Sequence, residues 1–264
     1  MLETLRRRFR GRTWVPVTLG LSGARVWRID DVYVKTIELA HWRDSGFGLA
    51  VEAERLRWLA TQHIRVPDVI ELERDDQFEW LITSALEGRT GADPWPEAQR
   101  TAVVDALADI ALMLHALPIE ACPFDRRLDV MVPEALLAAR EDRIDLDEMD
   151  AERVGWGADK LCEVLVATRP AVEDPVVCHG DFCLPNVLLD PESLEFVGLI
   201  DVARAGVADR HLDVALITRS LSHEANSQFD PAMASRFIER YTHGSGAAIT
   251  EDQLAFYRLL DEFA

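Results

Sequence analysis

The chain has 264 residues, 48% of them apolar, which is enough to bury a sizeable core without disulfide or metal staples. Its formal charge is -19, from 28 Lys and Arg against 47 Asp and Glu, which argues against a nucleic-acid partner and favours a cationic one, because phosphate backbones are held by Lys and Arg. Cys122, Cys162, Cys178 and Cys183 make no CxxC pair, the basic start MLETLRRRFRGR leads into no signal-length apolar stretch, and no apolar run approaches a bilayer span; together these predict a soluble, cytoplasmic chain with no membrane partner and no structural zinc.

In chain order, WVPVTLG, ARVWRID and VYVKTI are short runs of β-branched and aromatic residues that predict strands, with Asp30-Asp31 as a hairpin turn and GLSG, Gly20 to Gly23, as an earlier turn. FGLAVEAERLRWLATQ follows with Leu49, Leu56 and Leu59 at helical spacing, and QFEWLITSAL returns to strand composition. LEGRTGADPWP is rich in Gly and Pro and predicts a boundary, giving lobes at residues 1–86 and 87–264. EAQRTAVVDALADIALMLHAL then has apolar positions every three or four residues and stops at Pro118. Further helices are predicted around Pro133 to Arg140, around Trp156 to Ala167, and through most of the chain after Asp213, with strand-like runs on either side of HGD and in EFVGLID. The expected fold class is α+β, with a small β-rich amino-terminal lobe and a larger helical lobe holding an inserted pair of short strands.

VVCHGDFCLPNVLLD, residues 176–190, places His179, Asp181 and Asn186 on a loop between strands, and Asp201 ends the next strand. Lys35 closes the alternation VYVK, and Glu52 lies on the helix after it. A lone strand-end lysine is usually a solvated end. Here it belongs to an order that phosphoryl transfer demands: a lysine for nucleotide phosphates, a helical acid to orient it, a catalytic Asp, then an Asn and an Asp for magnesium. Asp181 is a carboxylate suited to orient an acceptor hydroxyl and take its proton. Asn186 and Asp201 supply oxygen ligands of the kind that Mg2+ takes. His179 is expected to brace the loop. A metal-hydrolase reading of His179 and Asp181 is the alternative, and it has neither an HExxH helix nor a second clustered His behind it. A separate feature is the acidic segment from Glu141 to Glu152, with seven acids against the single base Arg143; solubility alone is its plainer reading.

These motifs carry a resemblance. From Trp14 to Ala264, above all in VVCHGDFCLPNVLLD, IDVARAGVADRHLDVALITRS and FYRLLDEFA, the sequence resembles the aminoglycoside phosphotransferases of the 3'-hydroxyl type, which are related in fold to the protein kinases. The resemblance implies a protein-kinase-like two-lobed fold that moves the γ-phosphoryl of ATP or GTP to the 3'-hydroxyl of a kanamycin- or neomycin-like antibiotic, with magnesium as cofactor. It makes Asp181 the catalytic base or orienting acid, Asn186 and Asp201 the magnesium ligands, and Lys35 the holder of the α- and β-phosphates. Glu52 is then the lysine's partner, with Glu54 as a nearby competitor. Backbone groups at Ser84 and Leu86 would grip adenine, and Ser22 would contact the phosphates, although GLSGA departs from the protein-kinase GxGxxG. Asp150, Arg219, Glu262 and the terminal Ala264 would meet the cationic substrate, with Arg204 and Arg219 organising its acids; the family's further acid is here Ala151, and the chain finishes in Ala where an aromatic residue is common. Other readings are a kinase of another small hydroxylated molecule, such as a macrolide, a peptide antibiotic or a metabolite, and a nucleotide-binding pseudokinase.

Overall fold

The computed structural model describes residues 2–17, 24–39, 48–147 and 149–263. The fold class is α+β, and the chain divides into two compact units. The first runs to Arg89 and also takes in Leu188–Pro191 and Val197–Arg204; the second comprises Thr90–Val187, Glu192–Phe196 and the chain from Ala205 onward. The passage between them at Arg89 falls inside the Gly- and Pro-rich stretch at residues 86–96.

The first unit opens with α1 (Leu2–Arg8), followed by β1 (Val15–Val17), β2 (Arg25–Ile29), β3 (Val32–Glu38), α2 (Leu49–Thr61), β4 (Val69–Arg74) and β5 (Phe78–Ser84). The strands form one antiparallel sheet in the order β1-β2-β3-β5-β4. β2 and β3 meet in a tight hairpin with Ile29 opposite Val32. Asp30 occupies the left-handed region at φ 52°, which a short polar side chain tolerates better than a branched one. Ile29, Val34, Trp80 and Ile82 build a buried cluster, and Leu5 of α1 joins it with Phe9, Trp14 and Trp27 at its margin. The basic start is therefore a helix tied down by Leu5 in the core and by Arg8, which pairs with Glu71 of β4. That helix and β4 are absent from the elements expected from sequence.

From Arg89 onward β6 (Arg89–Thr90) leads to α3 (Glu97–His115), α4 (Leu128–Arg140), α5 (Ala158–Thr168) and β7 (Pro175–Cys178). Then come β8 (Val187–Leu189), β9 (Phe196–Leu199), β10 (Gly206–Asp209), α6 (His211–Ser222), α7 (Ala232–Ser245) and α8 (Glu251–Asp261). β7 and β10 pair antiparallel, with Cys178 opposite Gly206. β6, β8 and β9 make a small sheet, most of whose residues count with the first unit. α4 starts at Leu128 rather than at Pro133, which lies inside the helix; a proline forfeits one helical hydrogen bond there and does not mark the start. α6 is buried on nearly every face from His211 to Thr218, as befits a helix through the middle of a core. α3 packs on α7, and Arg236 and Arg240 clasp Asp105 and Asp109 beside that seam at 2.6–2.7 Å. No helix among the described residues is long and apolar enough to cross a membrane.

Candidate active site

Three of the expected residues meet in the first unit. The alternation of β3 buries Val34 and sends Lys35 to the opposite face, where Glu52 lies on the buried side of α2. Lys35 Nζ donates to Glu52 Oε1 at 2.7 Å and also to Asp201 Oδ1. Glu54, the competitor in sequence, is exposed. Asp201 follows β9 with φ 57°, and the helical turn after it, Val202–Arg204, packs on α2. Burial by itself would lower the Lys35 ammonium; Glu52 and then Asp201 outweigh it and hold the group above its ordinary value. Glu52 is pushed up by burial, against the pull of Lys35. Its side chain is 8% exposed, whereas that of Asp201 is 49% exposed; the lysine thus has one fixed partner and one that solvent or a ligand can reach.

Ser84 ends β5. Its N–H donates to Asp68 O at 3.0 Å and its hydroxyl accepts from Asp68 N at 2.8 Å, so its N–H has no part in gripping a base. Leu86 packs over Gly198, where an added Cβ would collide with the leucine side chain. Ser22 lies outside the described residues.

Asp181 and Asn186 belong to the second unit. β7 ends at Cys178, the loop turns through Gly180 at φ +81°, a conformation that favours glycine, and a single helical turn, Leu184–Asn186, leads to β8. Asn186 Nδ2 donates to both Asp181 O and Asp181 Oδ2 at 2.9 Å. With the amide nitrogen committed, the oxygen of Asn186 is the atom turned to other work. His179 is 1% exposed and its Nδ1 accepts from Asp181 N at 3.2 Å, so it braces the loop as expected. From α6, Asp213 accepts the N–H of His179 at 2.7 Å and of Gly180 at 2.9 Å. Cys178 is buried, with its thiol pushed well up by burial, and packs as an apolar residue. His115, Cys178 and Asp213 bring potential metal-ligand atoms within 4.8 Å of one another, yet each of the three is already in a hydrogen bond to the protein.

The second unit also gathers the expected substrate acids. Asp150 N donates to Glu262 Oε1 at 3.2 Å, and Arg219 reaches Asp150 Oδ2 at 3.4 Å and pairs with Asp261. Arg153 joins the group: its Nη1 lies 3.2 Å from Asp150 Oδ2 and 3.0 Å from Glu262 Oε1. Glu262 is held above the ordinary carboxyl range, first by burial and then by the charge of Asp150. Burial opposes the Arg219 guanidinium, and Asp261 and Asp150 more than restore it. Elsewhere in the acidic segment Glu141 accepts from Arg143 at 2.8 Å, while Glu148 and the terminal Ala264 lie outside the described residues. Arg153 and Asp261 escape sequence reasoning because Glu262 and Arg219 are distant from them along the chain; the spacing of Arg153 three residues after Asp150 is the available hint.

A strand lysine paired to a helical acid, and an Asp-Asn loop braced from a core helix, define a phosphotransferase of the kinase type, and the chain belongs to the phosphotransferase enzyme family, whose model matches residues 13–257. Within it the chain groups with the aminoglycoside 3'-phosphotransferases: it is 47% identical to the one from Streptomyces fradiae, over 99% of this chain and 98% of that one. The crystal structure of aminoglycoside-3'-phosphotransferase of type VIII matches with a TM-score of 0.91 and 48% identity, over 100% of this chain and 97% of that one. An aminoglycoside phosphotransferase from Streptomyces rimosus, solved in complex with ADP and streptomycin, matches at 0.83 with 29% identity, over 99% and 96% of the two chains.

Proposed function

We propose that this protein moves the γ-phosphoryl of ATP or GTP to the 3'-hydroxyl of an aminoglycoside antibiotic and thereby confers resistance to it. The observation that carries the reading is Lys35 bound between buried Glu52 and accessible Asp201; with its orientation set by Glu52, the ammonium is ready for nucleotide phosphates. The adenine contact falls to the backbone near Ser84 and Leu86, and Ser22 stays assigned to the phosphates. Asp181 orients the acceptor hydroxyl and takes its proton. Asn186 and Asp201 are the magnesium ligands: a committed amide nitrogen leaves oxygen on offer, and oxygen sets of this kind suit a hard cation. When bound, that ion neutralises phosphate charge.

On the acceptor side, Asp150 and Glu262 receive substrate ammonium groups, with Ala264 completing the contact and Arg219 setting the orientation of Asp150. The Streptomyces rimosus relative supports both ligand classes, since its structure holds ADP and streptomycin. The reaction belongs in the cytoplasm, where nucleotide is supplied. Phosphorylation adds a charge of about -2 to a polycationic drug, which sets it against the phosphates of ribosomal RNA. The test is a coupled nucleotide-turnover assay across an aminoglycoside panel that includes tobramycin, which lacks the 3'-hydroxyl. Turnover of the 3'-hydroxyl drugs with tobramycin left untouched is expected, and efficient tobramycin turnover overturns the site of transfer.

A further inference from the structure

The stretch VADRHLD carries family likeness, yet most of its polar side chains have no direct part in moving a phosphoryl group. In the second unit two of them, Arg210 and Asp213, belong to a chain of hydrogen bonds that runs from exposed Asp174 into the core. Asp174 grips Arg210 at Nε (2.6 Å) and Nη2 (3.0 Å), and Arg210 Nη1 donates to the Tyr241 hydroxyl at 2.9 Å. That hydroxyl lies 2.6 Å from His115 Nδ1, and His115 Nε2 lies 3.1 Å from Asp213 Oδ2. Asp213 in turn accepts the two amides that begin the HGD loop.

The chain has a direction. A guanidinium only donates, so the tyrosine oxygen is the acceptor from Arg210 and its one hydrogen needs an acceptor of its own. Tyr241 is fully buried, and His115 Nδ1 is the acceptor within reach. The imidazole hydrogen must then sit on Nε2, where it donates to the Asp213 carboxylate. The opposite tautomer would set a bare nitrogen against that carboxylate, and an imidazolium would strand the tyrosine hydrogen in the core. Burial pushes the Tyr241 hydroxyl up, so it keeps its hydrogen.

We propose that Tyr241 is a positioning residue for the phosphoryl-transfer loop: by donating to His115 Nδ1 it selects the tautomer whose Nε2–H fixes Asp213 beneath the amides of His179 and Gly180. Gly180 directly precedes Asp181, so a tilt of the Asp213 carboxylate passes into the aim of the catalytic side chain. The turnover part of this inference rests on the phosphotransferase reading; the hydrogen-bond part does not.

The test uses the full chain with 15N-labelled histidine, as wild type, Tyr241→Phe and Arg210→Met. Wild-type His115 is expected as the neutral Nε2–H tautomer near pH 7, a reading that needs no variant to fold. In Tyr241→Phe the tautomer becomes mixed, the His179 and Gly180 amides exchange faster, and kcat falls about tenfold or more with both KM values within about twofold. Arg210→Met, which leaves the tyrosine able to donate, keeps the wild-type tautomer. An Nδ1–H or imidazolium His115 in the wild type overturns the proposal, as does a Tyr241→Phe protein with kcat and loop amides unchanged. A wild type that phosphorylates no aminoglycoside defeats the functional reading alone, and the nitrogen shifts and amide exchange still decide this one.

Discussion

The cluster around Lys35 in the first unit and the cluster around Asp150 in the second have charge sums of like sign and opposite expected ligands. One ammonium lies between two carboxylates in the first, and two guanidiniums lie among four carboxylates in the second, the fourth being exposed Glu152 at 3.9 Å from Arg153. Both therefore carry surplus negative charge, yet the ligand proposed for one is phosphate and for the other a polycation. The difference lies in which member can be exchanged. Glu52 is buried while Asp201 is half exposed, so the anionic partner of Lys35 is the one that can turn to another ligand and present the ammonium. In the second cluster Arg153 and Glu262 are locked together at 6% and 5% exposure, whereas Arg219 and Asp150 are each more than a quarter exposed. There it is a cation that can give way, and a carboxylate that becomes available to a substrate ammonium. Charge sums say little about ligand preference until burial is assigned to each partner.

The strongest way to break this comparison is to remove the chemistry and keep both clusters. Asp181→Asn is expected to lower kcat about 10²- to 10⁴-fold with nucleotide binding retained by calorimetry; an active variant would remove Asp181 from the reaction, and an inactive wild type would return the chain to the pseudokinase reading. Next in size is Lys35→Met, which leaves Glu52 buried without its cation and should cost about 3 kcal/mol in denaturant unfolding, the low end for a broken buried pair because Asp201 is half exposed. The sign with pH follows from the raised ammonium. Its stabilisation is complete below its unfolded value of 10.5 and is lost as pH climbs towards the higher folded value, so wild-type stability should fall above that point while Lys35→Met lacks the same slope.

Glu262→Gln sharpens the other side. Its amide oxygen can still accept from Arg153 and Asp150 N, but the charge is gone, so KM for an aminoglycoside should rise about tenfold, the size of one charge-assisted hydrogen bond, with KM for ATP unchanged. Because the folded carboxyl titrates above 4.5, wild-type stability is favoured below that value and declines as pH rises through the folded one; Glu262→Gln should remove the decline in thermal melts taken across it. The smallest effect belongs to Glu54→Ala. Being exposed, it should stay within about 0.5 kcal/mol of wild type, and a loss of activity like that of Glu52→Ala would contradict the assignment of the lysine's partner.

Lys35, Asp181, Asn186 and Asp201 could be picked out from sequence because each stands in or beside a short strand or loop whose local pattern exposes it. Glu52 could be narrowed to two helical positions, and burial separated them. The Asp30-Asp31 hairpin and the long α3 were equally plain, since turn chemistry and apolar period act within a few residues. What escaped depends on distance along the chain: Arg153 finds Glu262, and His115 finds Tyr241 and Asp213, only after folding. α1 escaped because its seven mostly polar residues show no apolar period, and its ties, Leu5 in the core and Arg8 on Glu71, form only after folding. β4 escaped because half of VIELER is charged and none of it is fully buried, fit to pair along β5 without the alternation of a core strand.

The first unit is not contiguous in sequence. Leu199 N donates to Arg65 O at 3.0 Å, and Asp201, the second partner of Lys35, comes with residues 197–204. During synthesis the first 89 residues leave the ribosome early but cannot complete their own unit, because the whole of Thr90–Val187 must be made before its last strand arrives. The nascent amino-terminal segment therefore waits without residues 197–204 and with Lys35 held by Glu52 alone, a long-range closure of the kind that slows folding and exposes a chain to chaperones. The acid that the functional reading assigns to the metal is also the residue whose arrival ends that wait.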